Sequence, residues 1–180
     1  MRLFLGLYSP DLTKQALDDS CIEHQVMLAH LAQDRHMTLC FLGDYSNTQQ
    51  TSLVLAINAE MNRFNCNGVD WHGELIGDFP RGRPTAWAWQ GPITDSLKRL
   101  LQSLSKVNGL SDIIQLDGFL PHVTLAYIKG GGYPDCPLPS DVHFTQLILY
   151  CSLSQVERDS ITSGLPWAKP RYKKLNVWEI

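Results

Sequence analysis

One four-residue phrase occurs twice in this chain of 180 residues and constrains it more than anything else: His36-Met37-Thr38-Leu39 and His122-Val123-Thr124-Leu125. With 6 His, 9 Thr and 26 Leu in the chain, chance supplies about 0.04 such tetrads, so two are far beyond expectation. A single tetrad would read as strand composition, because Thr favours strands and His is common at their edges. His143-Phe144-Thr145, which lacks the Leu, shows that stray triplets occur.

The surroundings of the two tetrads also echo one another. Arg2 to Tyr8 places Leu3, Leu5 and Leu7 on one face and Phe4, Gly6 and Tyr8 on the other, the pattern of a buried strand. Pro10 and Asp11 then predict a helix to about Ala32, and the strand Met37 to Leu42 follows, closed by Gly43-Asp44. Later, Thr85 to Gln90 reads as a strand and Pro92 opens a helix to about Val107 with Leu97, Leu100, Leu101 and Leu104 as its stripe. Asn108-Gly109 stops that helix, and Val123 to Ile128 is the next strand. Two related α+β lobes facing one another across a cleft are the expected outcome, in one bilobal domain spanning 1–180. A helix over Ser46 to Phe64 and strands over Val69 to Ile76, Phe144 to Ser152 and Tyr172 to Trp178 complete the reading.

Strand geometry gives the doubled tetrad a chemical meaning. Residues i and i+2 of a strand point the same way, so His36 projects with Thr38, and His122 with Thr124. Met37, Leu39, Val123 and Leu125 then face the core. Two imidazoles and two hydroxyls on one patch suit a phosphoryl group. The hydroxyls donate to non-bridging oxygens, one imidazole takes a proton from attacking water, and the other gives a proton to the leaving alkoxide. Histidine serves both tasks because it titrates near neutrality. Which ring takes which role is open on this reading. No D-x-D or H-x-x-E-H accompanies the tetrads, so neither a metal nor another cofactor is expected.

Composition narrows the partners. A net charge of −3 and a pI near 6.0 argue against a broad basic surface for long duplex nucleic acid, while a local basic cleft stays open. No window of the sequence has the roughly 18 uncharged apolar residues of a membrane span. Met1 to Tyr8 runs into Ser9-Pro10-Asp11 rather than a small-residue cleavage site and so reads as a strand. Five widely spaced cysteines without C-x-x-C fit neither a disulfide framework nor a zinc ribbon, which points to a cytoplasmic protein; a monomer is expected.

The paired tetrads resemble the signature of the 2H phosphoesterase superfamily, and their context resembles its RNA 2′,3′-cyclic phosphodiesterase branch, historically called 2′-5′ RNA ligases. The resemblance runs through Arg2-Leu3-Phe4-Leu5, His36 to Gly43, Pro121 to Ala126, Leu147 to Ser152 and Tyr172 to Trp178. It implies antiparallel sheets lining a central cleft with helices outside. It also implies metal-independent opening of a 2′,3′-cyclic phosphate, on an RNA 3′ end or a small cyclic nucleotide, to a 2′-phosphate. By the same resemblance His36 is the proton donor, His122 the proton acceptor, and Thr38 and Thr124 hold phosphate oxygens. The chain departs from the family where members often carry arginine: Tyr127 stands soon after the second tetrad, and Asp117-Gly118 shortly before it. Lys129 is the nearby cation, without the planar fork of arginine.

Other residues carry weaker signals. Phe4 and Tyr127 are expected near the cleft as platforms for a base, and Arg81, Arg83 and Lys129 near its rim. Trp87 and Trp89 read as core, His24, His30 and His72 as surface, and His143 as structural. Gly130-Gly131-Gly132 lacks the helix start of a phosphate loop and reads as a turn. Cleavage or joining of 2′-5′ linked RNA, non-catalytic binding of RNA ends, and a plain interaction domain are the rival readings.

Overall fold

The leucines of the first strand set the layering. The computed structural model describes residues 1–13, 31–64, 66–80, 86–127, 141–161 and 169–180. Strand β1 (Arg2–Tyr8) buries Leu3, Leu5 and Leu7 completely on one face. It is flanked by β2 (Met37–Asp44) and by β8 (Gln146–Ser152), both antiparallel to it. With β4 (Leu75–Phe79), β5 (Ala86–Gln90), β6 (His122–Tyr127) and β9 (Tyr172–Glu179) they form one seven-stranded sheet in the order β4-β5-β6-β2-β1-β8-β9. β3 (Val69–His72) and β7 (Asp141–Phe144) form a separate antiparallel pair.

Helices cover the leucine face. α1 (Asn47–Met61) starts at a capping box made by Ser46 and Gln49, and buries Leu53 and Ile57. α2 (Asp95–Leu104) is capped by Thr94 and buries Leu97, Leu100, Leu101 and Leu104. These side chains share one core with Leu3, Leu5, Leu7, Met37, Leu39, Val123 and Leu125. α3 (Gln155–Ser160) carries a second capping box, Ser154 with Glu157, and buries nothing. None of the described helices is long and apolar enough to cross a membrane.

The α+β class is as the sequence pattern implies, and the antiparallel pairing as the resemblance implies. The two expected sheets are halves of a single one, joined by the lone pairing of Met37 with Val123. In each half a tetrad strand (β2 or β6) pairs with the strand that precedes it in the echo (β1 or β5). Both pairings slip by one residue at the same place: Leu5 opposes Cys40 while Gly6 opposes Thr38, and Trp87 opposes Ala126 while Ala88 opposes Thr124. The extra residue is Leu39 in one half and Leu125 in the other, the last position of each tetrad. Such a bulge reverses the alternation beyond it, which returns Phe41 and Tyr127 to the face that carries His36 and His122.

Some expected boundaries move. The helix over Pro10 to Ala32 is seen only as short 3-10 turns at Pro10–Thr13 and Ala32–Asp34, the rest lying outside the described residues. Val69 to Ile76 is two strands, divided at Gly73-Glu74, where a β-carbon on Gly73 would overlap the Trp89 indole. Phe144 to Ser152 is also two: Phe144 ends β7 opposite Val69, and β8 starts at Gln146.

Candidate active site

The join between the halves builds the site. One step to either side of the Met37–Val123 pair, the antiparallel register sets His36 opposite Thr124 and Thr38 opposite His122. Cross-strand neighbours of this kind have β-carbons about 5 Å apart. Met37 and Val123 are wholly buried beneath them, so the four polar residues share the opposite face. Residues 84 apart in the chain (122 − 38) are thereby brought to one patch.

Each imidazole is fixed through Nδ1. His36 Nδ1–H donates to the Asp34 carbonyl at 2.6 Å, and His122 Nδ1–H donates to the Leu120 carbonyl at 2.9 Å. A carbonyl only accepts, so these contacts set the tautomer and leave Nε2 of each neutral ring as the basic atom. His36 Nε2 lies 3.1 Å from Thr38 Oγ1, the hydroxyl donating when the ring is neutral.

The environments differ. His36 is 7% exposed and enclosed by Phe4, Tyr150 and Tyr172, whose ring centres lie 4.9, 5.0 and 5.1 Å from its own. Burial pulls its pKa from 6.5 down to about 4; the Asp34 carbonyl acts against that, and the charge of His122 adds to it. The pair is therefore electrostatically coupled. His122 is half-buried, with Phe79 stacked on it at 3.7 Å, and desolvation lowers its pKa too. In the free protein both rings are neutral at pH 7.

Gly6 makes room for this arrangement. It opposes Thr38, and a β-carbon there would lie 3.1 Å from His36 Cδ2, 3.1 Å from the Met37 carbonyl and 3.3 Å from Tyr150. A glycine inside a strand is the available sequence signal for such an approach. Phe79, Tyr150 and Tyr172 carry no such signal, because they come from distant strands. Asp34 links the site to the start of β9: its carbonyl holds His36, and its carboxylate accepts the Arg171 backbone N–H at 2.9 Å. Desolvation raises the carboxyl pKa, against the opposing pull of that hydrogen bond and of the charges of Arg171 and Arg158.

Phe4 is not a base platform. At 1% exposure its ring is spent on His36, Tyr150 and Tyr172. Phe41, opposite Phe4 on the same face and 69% exposed, offers an open ring instead. Tyr127 is half-buried on the face that carries His122, hydrogen-bonded to Tyr172 and with the Arg171 guanidinium over its ring. Trp87 and Trp89 are buried. His72 and His143 lie away from the tetrads, paired across the small sheet with Asp141 and Asp70 at 3.2 and 2.7 Å. Lys129, Arg81, Arg83, His24, His30 and Gly130 to Gly132 lie outside the described residues. Among the described residues no three His, Cys, Asp or Glu side chains cluster as a metal site requires.

No family model and no curated protein matches the chain. Solved structures do. The crystal structure of Escherichia coli LigT complexed with phosphate aligns with a TM-score of 0.69 at 20% identity, covering 99% of this chain and 96% of that one. LigT complexed with 3′-AMP gives 0.70 at 22% identity, with coverages of 99% and 97%. A phosphoesterase gives 0.69 at 21% (99% and 98%), and TT0787 of Thermus thermophilus gives 0.67 at 21% (99% and 97%). Over essentially its whole length, this chain has the fold seen in LigT, in that phosphoesterase and in TT0787.

Proposed function

We propose that the protein is a metal-independent phosphodiesterase that opens 2′,3′-cyclic phosphates on RNA or nucleotide ends, leaving a 2′-phosphomonoester. The observation that carries this is the cross-strand register that brings two imidazoles, each held through Nδ1, and two threonines to one patch of the sheet. The whole-length likeness to LigT, itself solved with phosphate and with 3′-AMP, supports it.

The Thr38 and Thr124 hydroxyls bind the non-bridging oxygens. His122, neutral with its Nε2 lone pair toward the cleft, takes a proton from the attacking water. The new P–O bond forms as the bond to O3′ breaks, and His36 Nε2–H protonates the leaving O3′. Catalysis thus requires a single proton shared by the pair, carried on His36. Burial opposes that proton: raising His36 from about 4 to 7 corresponds to roughly 4 kcal/mol, drawn from the negative charge of the bound phosphate. Phe41 provides the ring on which a base stacks. The protein acts as a monomer in the cytoplasm.

The test is hydrolysis of adenosine 2′,3′-cyclic phosphate and of RNA ending in one, in excess EDTA. The expected product is the 2′-phosphate; absence of turnover on both substrates rejects the activity. Offering 2′-5′ oligoadenylate alongside separates this reading from cleavage of that linkage.

A further inference from the structure

The four residues around the phosphoryl space bring no permanent charge, since both imidazoles are neutral in the free protein. A fixed cation stands close by. Arg171, at the entry to β9, has its guanidinium carbon 4.8 Å from the centre of the Tyr127 ring. Tyr127 belongs to β6, which three strands separate from β9 in the sheet order, yet Tyr172 hydrogen-bonds it. The start of β9 therefore reaches over the cleft face to the other half.

The details favour a ligand-facing role. A contact with the π face of the ring is electrostatic and uses none of the guanidinium's N–H donors in a conventional hydrogen bond, so they can serve an anion. Asp34 feels the guanidinium charge, but its carboxylate bonds the Arg171 backbone N–H. Among the described residues no carboxylate lies within 4.0 Å of the guanidinium, where a structural ion pair would place one. Tyr127 lies two pairings beyond Thr124 along β6, on the same face because of the bulge at Leu125. Two pairings span about 7 Å, a separation like that of neighbouring phosphates in an RNA strand.

We infer that Arg171 grips a second phosphate, the one on the 5′ side of the ribose whose terminal phosphate occupies the tetrads. It makes a nucleotide chain, or a nucleotide bearing a 5′-phosphate, a better ligand than one with the terminal phosphate alone. The inference rests on reading the cleft as a site for RNA ends.

Binding tests it without turnover. Adenosine 2′-phosphate, adenosine 2′,5′-bisphosphate and a triadenylate ending in a 2′-phosphate are titrated into wild type, Arg171→Ala and Arg171→Lys. Wild type is expected to prefer a ligand with the second phosphate by at least about tenfold, and Arg171→Ala to lose that preference with its affinity for adenosine 2′-phosphate unchanged. Its log–log salt slope for the triadenylate is expected to fall by about 0.7. Arg171→Lys keeps the charge and part of the preference. Equal gain from the bisphosphate and the triadenylate identifies the phosphate itself as the recognised group; gain from the triadenylate alone identifies the chain. The inference is overturned if wild type shows no preference, if Arg171→Ala retains it, or if all three ligands weaken equally. If wild type shows the Arg171-dependent preference but leaves cyclic phosphates intact, the proposed activity fails while this site stands.

Discussion

The single shared proton makes the pH profile the sharpest consequence of the site. kcat/KM reports the free enzyme, in which His36 titrates at about 4 and His122 below its ordinary 6.5. The active, singly protonated pair therefore exists between about 4 and a limit under 6.5. The profile is a bell on the acid side of neutrality, its limbs belonging to the pair as a whole. By pH 7.5, one unit above the ordinary histidine value, kcat/KM should lie at least about tenfold below its plateau. The perturbation that assigns the roles is His122→Ala. Only His36 then titrates, and a proton donor loses its proton as pH rises, so the residual rate should fall about tenfold per unit above about 4. The assay is initial-rate hydrolysis of adenosine 2′,3′-cyclic phosphate from pH 4 to 8 in constant-ionic-strength buffers. A bell centred above 6.5 would refute the burial argument. A residual rate in His122→Ala that rises through pH 4 would make His36 the base and reverse the assignment.

Other consequences concern stability and packing. Because the unfolded chain protonates His36 near 6.5 and the folded one only near 4, the unfolded state binds more protons in that window and stability falls as pH drops through it. The loss is roughly 3 kcal/mol, and urea unfolding at pH 4 and 7 should show His36→Gln escaping it. Gly6→Ala forces a methyl 3.1 Å from both His36 Cδ2 and a backbone carbonyl; the ring must yield, and kcat should drop about 10- to 100-fold with a stability cost of about 1–3 kcal/mol, read by kinetics and thermal melts. The Tyr150 hydroxyl is buried without a hydrogen-bond partner among the described residues, so Tyr150→Phe should be neutral or stabilising by about 1 kcal/mol in urea unfolding. A clear destabilisation would show that the hydroxyl is satisfied.

Local pattern carries the four polar residues of the tetrads. Two-residue alternation alone puts His36 with Thr38 and His122 with Thr124, and the strand–helix–strand echo pairs the halves. Long-range register is beyond local pattern: nothing near Met37 names Val123 as its partner, and nothing near Leu39 or Leu125 announces a bulge. Phe41 is therefore not legible in the sequence as an exposed ring, and Phe4, expected at the cleft surface, instead encloses His36. Arg171 escapes sequence reasoning for the same reason, since its contact with Tyr127 depends on how the two halves fold toward each other. The capping box of Ser154 with Glu157 is different: its Ser-x-x-Glu signature is plain in the sequence, and the short helix α3 could have been read from it.

Phosphorus NMR of an RNA ending in a 2′,3′-cyclic phosphate, incubated in excess EDTA with wild type, His36→Ala and His122→Ala, tests the shared phosphoryl site most directly. Wild type is expected to convert it to a 2′-phosphomonoester, and each variant to do so at least about 100-fold more slowly. Conversion by both variants at the wild-type rate would show that the two histidines do not work on one phosphorus.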